Sequence, residues 1–228
     1  MKWLSLDDKV EFVKPWIRGK RVLDLGCVDH SSNVESTDNW MHSRLLQTAA
    51  SVVGVDILED DVLKLRGKGY DVRVGDVQRL QMNEKFDVVF AGEIIEHLAN
   101  LEGFLDSVKS CLKSDGVVII TTPNVFAISH FIMTSLNRRS VRVEHTCWFD
   151  IYTLSNLLRR YSFEPVEIRY IRVTTFADLR ISLKSHSVKK VTSSLSSLVF
   201  GAVLPRRISC MDFAIVARYK DQVNSESI

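Results

Sequence analysis

Arg21-Val22-Leu23-Asp24-Leu25-Gly26-Cys27 decides the fold. The apolar pair Val22-Leu23 runs into an acid, a leucine and a glycine, which reads as a strand that ends in a sharp turn. A glycine there lets the chain turn and lets a ligand approach the backbone. Outward from this stretch, short β-rich runs alternate with amphipathic ones, the pattern of an α/β domain with a mainly parallel sheet. The spacing predicts strands over Arg21–Leu25, Ser51–Asp56, Tyr70–Val74, Phe86–Ala91 and Gly116–Thr121, with a later pair over Pro165–Val173 and Met211–Tyr219. Several are apolar throughout, as strands covered by helices on both faces should be. Helices are predicted over Asn39–Ala50, Leu58–Lys68, Leu101–Lys113 and Thr153–Tyr161, the last with Asp150 as its N-cap.

Composition sets the outer bounds. The chain has 228 residues, 46% hydrophobic and 25% charged, enough for one well-filled core and short for two. Its 30 basic and 28 acidic side chains leave a formal net charge of +2, so nothing points to general nucleic-acid binding. The four cysteines lie far apart with no C-x-x-C pair, which argues against a disulfide scaffold or a paired zinc site and for reduced thiols in the cytoplasm. Neither a signal peptide nor a membrane span is expected. One domain over residues 1–228 is therefore expected, and residues 174–208 interrupt its rhythm. They hold six Lys or Arg and one acid, with apolar residues at roughly helical spacing, and read as an inserted helical cap. A basic amphipathic cap can cover an acceptor site or rest on an anionic membrane surface, and the plainer reading is a helical excursion packed on its own domain.

Ligands in open α/β sheets bind beyond the carboxyl ends of the strands, where strand order reverses. Dinucleotide sites need G-x-G-x-x-G to fold the backbone around a pyrophosphate. Here Val28 and Ser31 occupy the later glycine positions, so a pyrophosphate cradle is disfavoured. S-adenosylmethionine carries no phosphate, and one glycine with nearby acids suits its sulfonium, ammonium and carboxylate better. Asp56, closing Val52-Val53-Gly54-Val55-Asp56, can accept from both ribose hydroxyls. Asp76, in Gly75-Asp76-Val77, can accept from the adenine amine or simply serve as a turn residue.

With these motifs the chain resembles the class I S-adenosylmethionine-dependent methyltransferases, of the small-molecule O-methyltransferase kind with a type 11/23 methyltransferase domain. The resemblance covers roughly residues 15–172 and also rests on Phe86-Asp87-Val88-Val89-Phe90-Ala91-Gly92-Glu93-Ile94-Ile95-Glu96-His97-Leu98 and Gly116-Val117-Val118-Ile119-Ile120-Thr121-Thr122-Pro123-Asn124. It implies a Rossmann-like, seven-stranded, mostly parallel sheet with an antiparallel last strand and helices on both faces. It implies S-adenosylmethionine as cofactor, with Asp24 and the Gly26 loop facing the methionine moiety, Asp56 the ribose and Asp76 the adenine, and with Cys27, Ile57, Val77 and Glu93 as further cofactor-binding residues. The family usually has a second glycine where this chain has Val28, a departure at the methionine end.

Beyond the fourth strand, a helical start would put Glu93, Glu96 and His97 on one face, and His145 follows later in the chain. Two carboxylates and two imidazoles can bind a divalent ion or supply a general base. The pattern looks like the metal-binding Glu-x-x-Glu-His and later histidine of small-RNA 2′-O-methyltransferases. It also looks like the Glu-His and later histidine of many small-molecule O-methyltransferases. The second group is larger, so the sequence reading assigns no metal and places His97 and His145 as catalytic candidates. The expected acceptor is a small molecule, glycan or lipid-linked compound, methylated at oxygen; the alternatives are a metal-assisted RNA 2′-O-methyltransferase and a non-catalytic scaffold.

Overall fold

The computed structural model describes residues 6–28, 40–173 and 202–220. Helix α1 (Leu6–Ile17) precedes β1 (Arg21–Leu25), α2 (Met41–Leu46), β2 (Ser51–Asp56), α3 (Glu59–Gly67), β3 (Val72–Val74) and β4 (Phe86–Gly92). A 3₁₀ turn (Ile95–His97) leads to α4 (Leu101–Cys111), β5 (Leu112–Pro123), α5 (Ile128–Ser135), α6 (Ile151–Arg160), β6 (Phe163–Val173), the short α7 (Arg206–Ser209) and β7 (Cys210–Tyr219).

The strands form one sheet in the order β3-β2-β1-β4-β5-β7-β6. The first five run parallel, while β7 is antiparallel to both neighbours. This is the Rossmann-like, mostly parallel sheet that the resemblance implies. Alternate side chains of each strand feed two cores. Leu23, Leu25, Val53, Val55, Val89, Val118 and Ile120 pack with Phe104, Leu105 and Val108 of α4 and with Leu154 and Leu158 of α6. Val22, Val52, Val88, Val117 and Ile119 pack on the other face with Phe12, Val13 and Ile17 of α1 and Leu45 of α2. Two-sided burial accounts for the uninterrupted apolar runs. Asp150 caps α6 by accepting from the N–H groups of Tyr152 and Thr153, and Thr153 Oγ1 accepts in return from the Asp150 N–H.

Some boundaries differ from expectation. The third strand begins at Val72 rather than Tyr70, and α2 is confined to Met41–Leu46. Helices α1 and α5 lie where none was expected. The helical cap over 174–208 falls outside the described residues except for its last part, which contains the start of α7. Among the described residues no helix is long and apolar enough to cross a membrane.

Candidate active site

Strand order reverses between β1 and β4, so the loops leaving their carboxyl ends diverge and open a crevice. A cavity of about 1080 Å³ occupies it. Asp24, Gly26, Cys27, Asp56, Ile57, Asp76, Val77 and Glu93 all line this cavity, as do His97 and His145. The structure thus brings every cofactor-binding and catalytic candidate of the sequence into one chamber.

The local geometry says what holds each of them. Gly26 turns with φ +78°, the left-handed region that favours glycine. Asp56 is buried and already engaged, its two oxygens accepting from the Val28 N–H and the Leu58 N–H, each at 3.0 Å. One carboxylate thereby ties the β1 turn to the β2 turn, with lone pairs left over for a ligand. Burial raises its affinity for a proton above the carboxylate norm, against the pull of those N–H groups. Val28 is fully buried and packs with Cys27, Trp40, Val62, Leu65 and Val72. Its side chain serves the core, which explains a valine at a position where glycine is usual. The Cys27 thiol is pushed far up by burial and by Asp24 and Asp56, so it is no nucleophile.

Asp76 acts as a turn residue and faces the cavity at the same time. It accepts from the Gln78 N–H at 2.9 Å and pairs with Arg79, contacts that hold it low against a modest burial penalty. Asp24 is spent on a neighbour that the sequence did not announce: its Oδ2 lies 2.8 Å from Nδ1 of the buried His42, on α2.

The Glu-x-x-Glu-His segment corrects one expectation. It does not begin a helix, because Glu93 has φ +54° and only a 3₁₀ turn over Ile95–His97 follows. Glu93 and Glu96 therefore diverge. Glu93 accepts from Thr121 Oγ1 at 3.0 Å and from Lys9 Nζ at 2.8 Å. Glu96 accepts from Thr122 Oγ1 at 2.9 Å, and burial together with the charge of Glu93 pushes its carboxyl up to about 8. Successive threonines of β5 thus receive the two acids. His145 comes back onto the turn, its ring meeting that of His97 with centroids 4.6 Å apart at 84°. Burial, with His97 and Arg142 nearby, lowers its imidazole below the histidine norm. Glu96, His97 and His145 each offer a ligand atom within 4.8 Å of the others.

The far wall comes from segments that carry no motif. Helix α5 turns Ser129 and Met133 inward and leaves Phe131 exposed, while Trp148 stacks against His130 at 4.9 Å. Arg139, Met211 and Asp212 complete it.

A seven-stranded sheet in this order, with acids at the ends of successive strands around one cavity, defines a Rossmann-like domain of the methyltransferase class. The methyltransferase-domain family model matches residues 4–168, and the chain belongs to that family. Among curated proteins, it is 28% identical over 102 residues to (S)-coclaurine N-methyltransferase of Papaver somniferum, covering 45% of this chain and 29% of that protein. It is 30% identical over 112 residues to ubiquinone biosynthesis O-methyltransferase of Bradyrhizobium diazoefficiens, covering 46% and 41%. The matched region thus spans less than half the length of either relative. A solved SAM-dependent methyltransferase from Archaeoglobus fulgidus shares the fold, with a TM-score of 0.59 at 20% identity over 93% of this chain and 94% of that one.

Proposed function

We propose that this domain transfers the methyl group of S-adenosylmethionine to a hydroxyl of a small-molecule, glycan or lipid-linked acceptor. The observation that carries this reading is the single cavity reaching from Asp24, Asp56 and Asp76 past Glu93 to His97 and His145, with room for donor and acceptor together. The donor-side chemistry fits a cationic nucleoside: its wall carries acids at the ends of β1, β2 and β3 and lacks the glycine-rich phosphate cradle. Asp56 receives the ribose hydroxyls, Asp76 with Val77 the adenine, and the Gly26 turn with Cys27 the methionine end. S-adenosylmethionine supplies an activated methyl group when bound.

The chain's own task is then to position an acceptor and take its proton. His97 or His145 accepts the hydroxyl proton, and the low proton affinity of His145 keeps its imidazole neutral and able to do so. Four unpaired cysteines are consistent with a cytoplasmic setting.

The test is formation of S-adenosylhomocysteine with paired acceptors, one bearing a free hydroxyl and the other the same hydroxyl blocked as its methyl ether. Turnover is expected only with the free hydroxyl. Turnover on amines alone would overturn the choice of oxygen, and absence of S-adenosylhomocysteine binding by calorimetry would favour a non-catalytic scaffold.

A second reading rests on the Glu96–His97–His145 cluster, whose ligand atoms lie close enough to hold one divalent cation. It makes the enzyme metal-assisted, as in RNA 2′-O-methyl transfer. It predicts bound metal in the purified protein and its loss in Glu96→Ala and His145→Ala. Full activity of metal-free protein in chelator excludes it.

A further inference from the structure

The two halves of the chamber differ in charge. Asp24, Asp56, Asp76 and Glu93 line the donor half. Arg139, Ser140 and Arg142 line the same cavity from the loop between α5 and α6, the loop that also carries His145. Over residues 137–145 that loop holds the guanidiniums of Arg138, Arg139 and Arg142 against a single carboxylate, Glu144. Arg139 is exposed and pairs with no carboxylate among the described residues. Arg142 stands close enough to His145 for its charge to act on the imidazole. The other acid of this wall, Asp212, is buried on β7 and already engaged.

The loop is braced at both ends. Asn137 turns with φ +53° and ends α5, its N–H donating to the Thr134 carbonyl and the Arg138 N–H to the Met133 carbonyl, each at 2.9 Å. At the other end the Thr146 N–H donates to the Glu96 carbonyl at 2.8 Å, and Thr146 Oγ1 donates to the Leu98 carbonyl at 2.8 Å. The arginines are thus carried on backbone fixed between α5 and the turn that bears His97. A guanidinium presents its N–H groups as a planar fork that matches the oxygens of a carboxylate or a phosphate. Trp148, stacked on His130 at 4.9 Å, lines the same wall and offers apolar ring surface to the body of an acceptor.

We propose that Arg139 and Arg142 select an acceptor that carries an anionic group, a carboxylate or a phosphate, and hold it with its hydroxyl toward His97 and His145. The inference rests on the methyl-transfer reading above and deepens it by naming the class of acceptor. A cationic acceptor would meet like charge at this wall, whereas an anionic one gains from both arginines. The guanidiniums touch the anionic group and not the reacting oxygen, so they set the affinity for the acceptor and leave the transfer to the histidines. Cations just past the C-terminus of α5 also suit the helix dipole. That role alone would move stability and leave the choice of acceptor unchanged.

The test is calorimetry on the full chain loaded with S-adenosylhomocysteine, together with steady-state kinetics. The probes are para-hydroxyphenylacetate and hydroxyhexanoate, each beside its methyl ester, with para-hydroxyphenyl phosphate as the phosphate arm and tyramine as the cation. The anions should bind about 10-fold or more tightly than the esters, the value of a charge-assisted hydrogen bond. A preference for phosphate over carboxylate, or the reverse, supports the proposal and names the anion. Arg139→Gln and Arg142→Gln should each cut the anion-to-ester ratio by about 10-fold, raising KM far more than they lower kcat, and Arg139→Lys should restore part of it. Retained affinity for S-adenosylhomocysteine reports that each variant is folded. Equal binding of acids and esters, or tighter binding of tyramine, overturns the proposal. So does a preference for anions that survives in both glutamine variants, and so does a chain that binds S-adenosylhomocysteine but none of the anions. A chain that does not bind S-adenosylhomocysteine overturns the donor-binding reading instead.

Discussion

The imidazoles of His97 and His145 meet edge to face with their centroids 4.6 Å apart, one from the turn after β4 and the other from the segment before α6. Groups in such contact act as a unit, and their effects do not add. Replacing either by alanine should lower kcat by roughly 10²–10⁴-fold, the usual worth of a general base. The double variant should be little worse than the more damaging single one. Steady-state kinetics on all three checks this, and fully additive losses would show that the rings work separately.

Asp87 joins two strands at their origin. It accepts from the Arg21 N–H at 2.8 Å and from Lys113 Nζ at 2.7 Å. Burial opposes its charge, but these partners hold its carboxyl below the ordinary value. A carboxyl depressed by folding adds stability that is full above its unfolded value of about 3.9 and is lost as pH falls through the folded value. Asp87→Asn should therefore cost on the order of 1 kcal/mol at neutral pH and flatten the acid limb of the stability profile below about pH 4. Urea unfolding across that range is the measurement.

Gly54 lies in mid-strand, where a Cβ would stand 2.6 Å from Cys27 Sγ and 2.8 Å from Val72 Cγ1. Both neighbours are core atoms, so Gly54→Ala should destabilise by about 1–3 kcal/mol through overpacking. At Gly26 the chief objection is backbone conformation, since the close neighbour of a Cβ there is the movable end of Ile94, and Gly26→Ala should cost about 1–2 kcal/mol. Thermal melts of the two variants beside Gly67→Ala, where a Cβ meets nothing within 4 Å, separate these effects from a general intolerance of alanine.

The capping box of α6 predicts a loss near 1 kcal/mol for Asp150→Ala, since two N–H groups lose their acceptor. Asp150→Ser should recover most of it. A melting shift absent from Asp150→Ala would show that the first turn of α6 is held by its buried Leu154 alone.

Legibility in the sequence followed burial. Val52-Val53-Gly54-Val55 and Val117-Val118-Ile119-Ile120 are covered on both faces, so their apolar runs announce strands without ambiguity. Helix α1 was hidden by Pro15 within it, which reads as a break, although Phe12, Val13 and Ile17 bury a proper face. Helix α5 was hidden because Phe131 is 70% exposed while Ser129 is buried, which blurs the apolar face that helical spacing would mark. Asp24, Asp56 and Asp76 could be found because each lies within two residues of the carboxyl end of a strand. His42, Lys9 and Asp212 could not, since they reach the cavity from α2, α1 and β7 and only packing brings them there. A lone histidine on a short helix carries no signal until its partner Asp24 is seen beside it.

Strands β6 and β7 pair along their whole length, from Phe163 opposite Tyr219 to Val173 opposite Cys210. The chain therefore leaves the sheet and rejoins it at adjacent points, and Met211 and Asp212 face the cavity immediately on return. The entropy of closing a loop between fixed ends grows only slowly with its length. Residues between the two strands can thus lengthen, shorten or be exchanged between related chains at little cost to the sheet. The hairpin is a socket: evolution, or an engineer, can replace what is plugged into it while the donor half of the chamber stays as built.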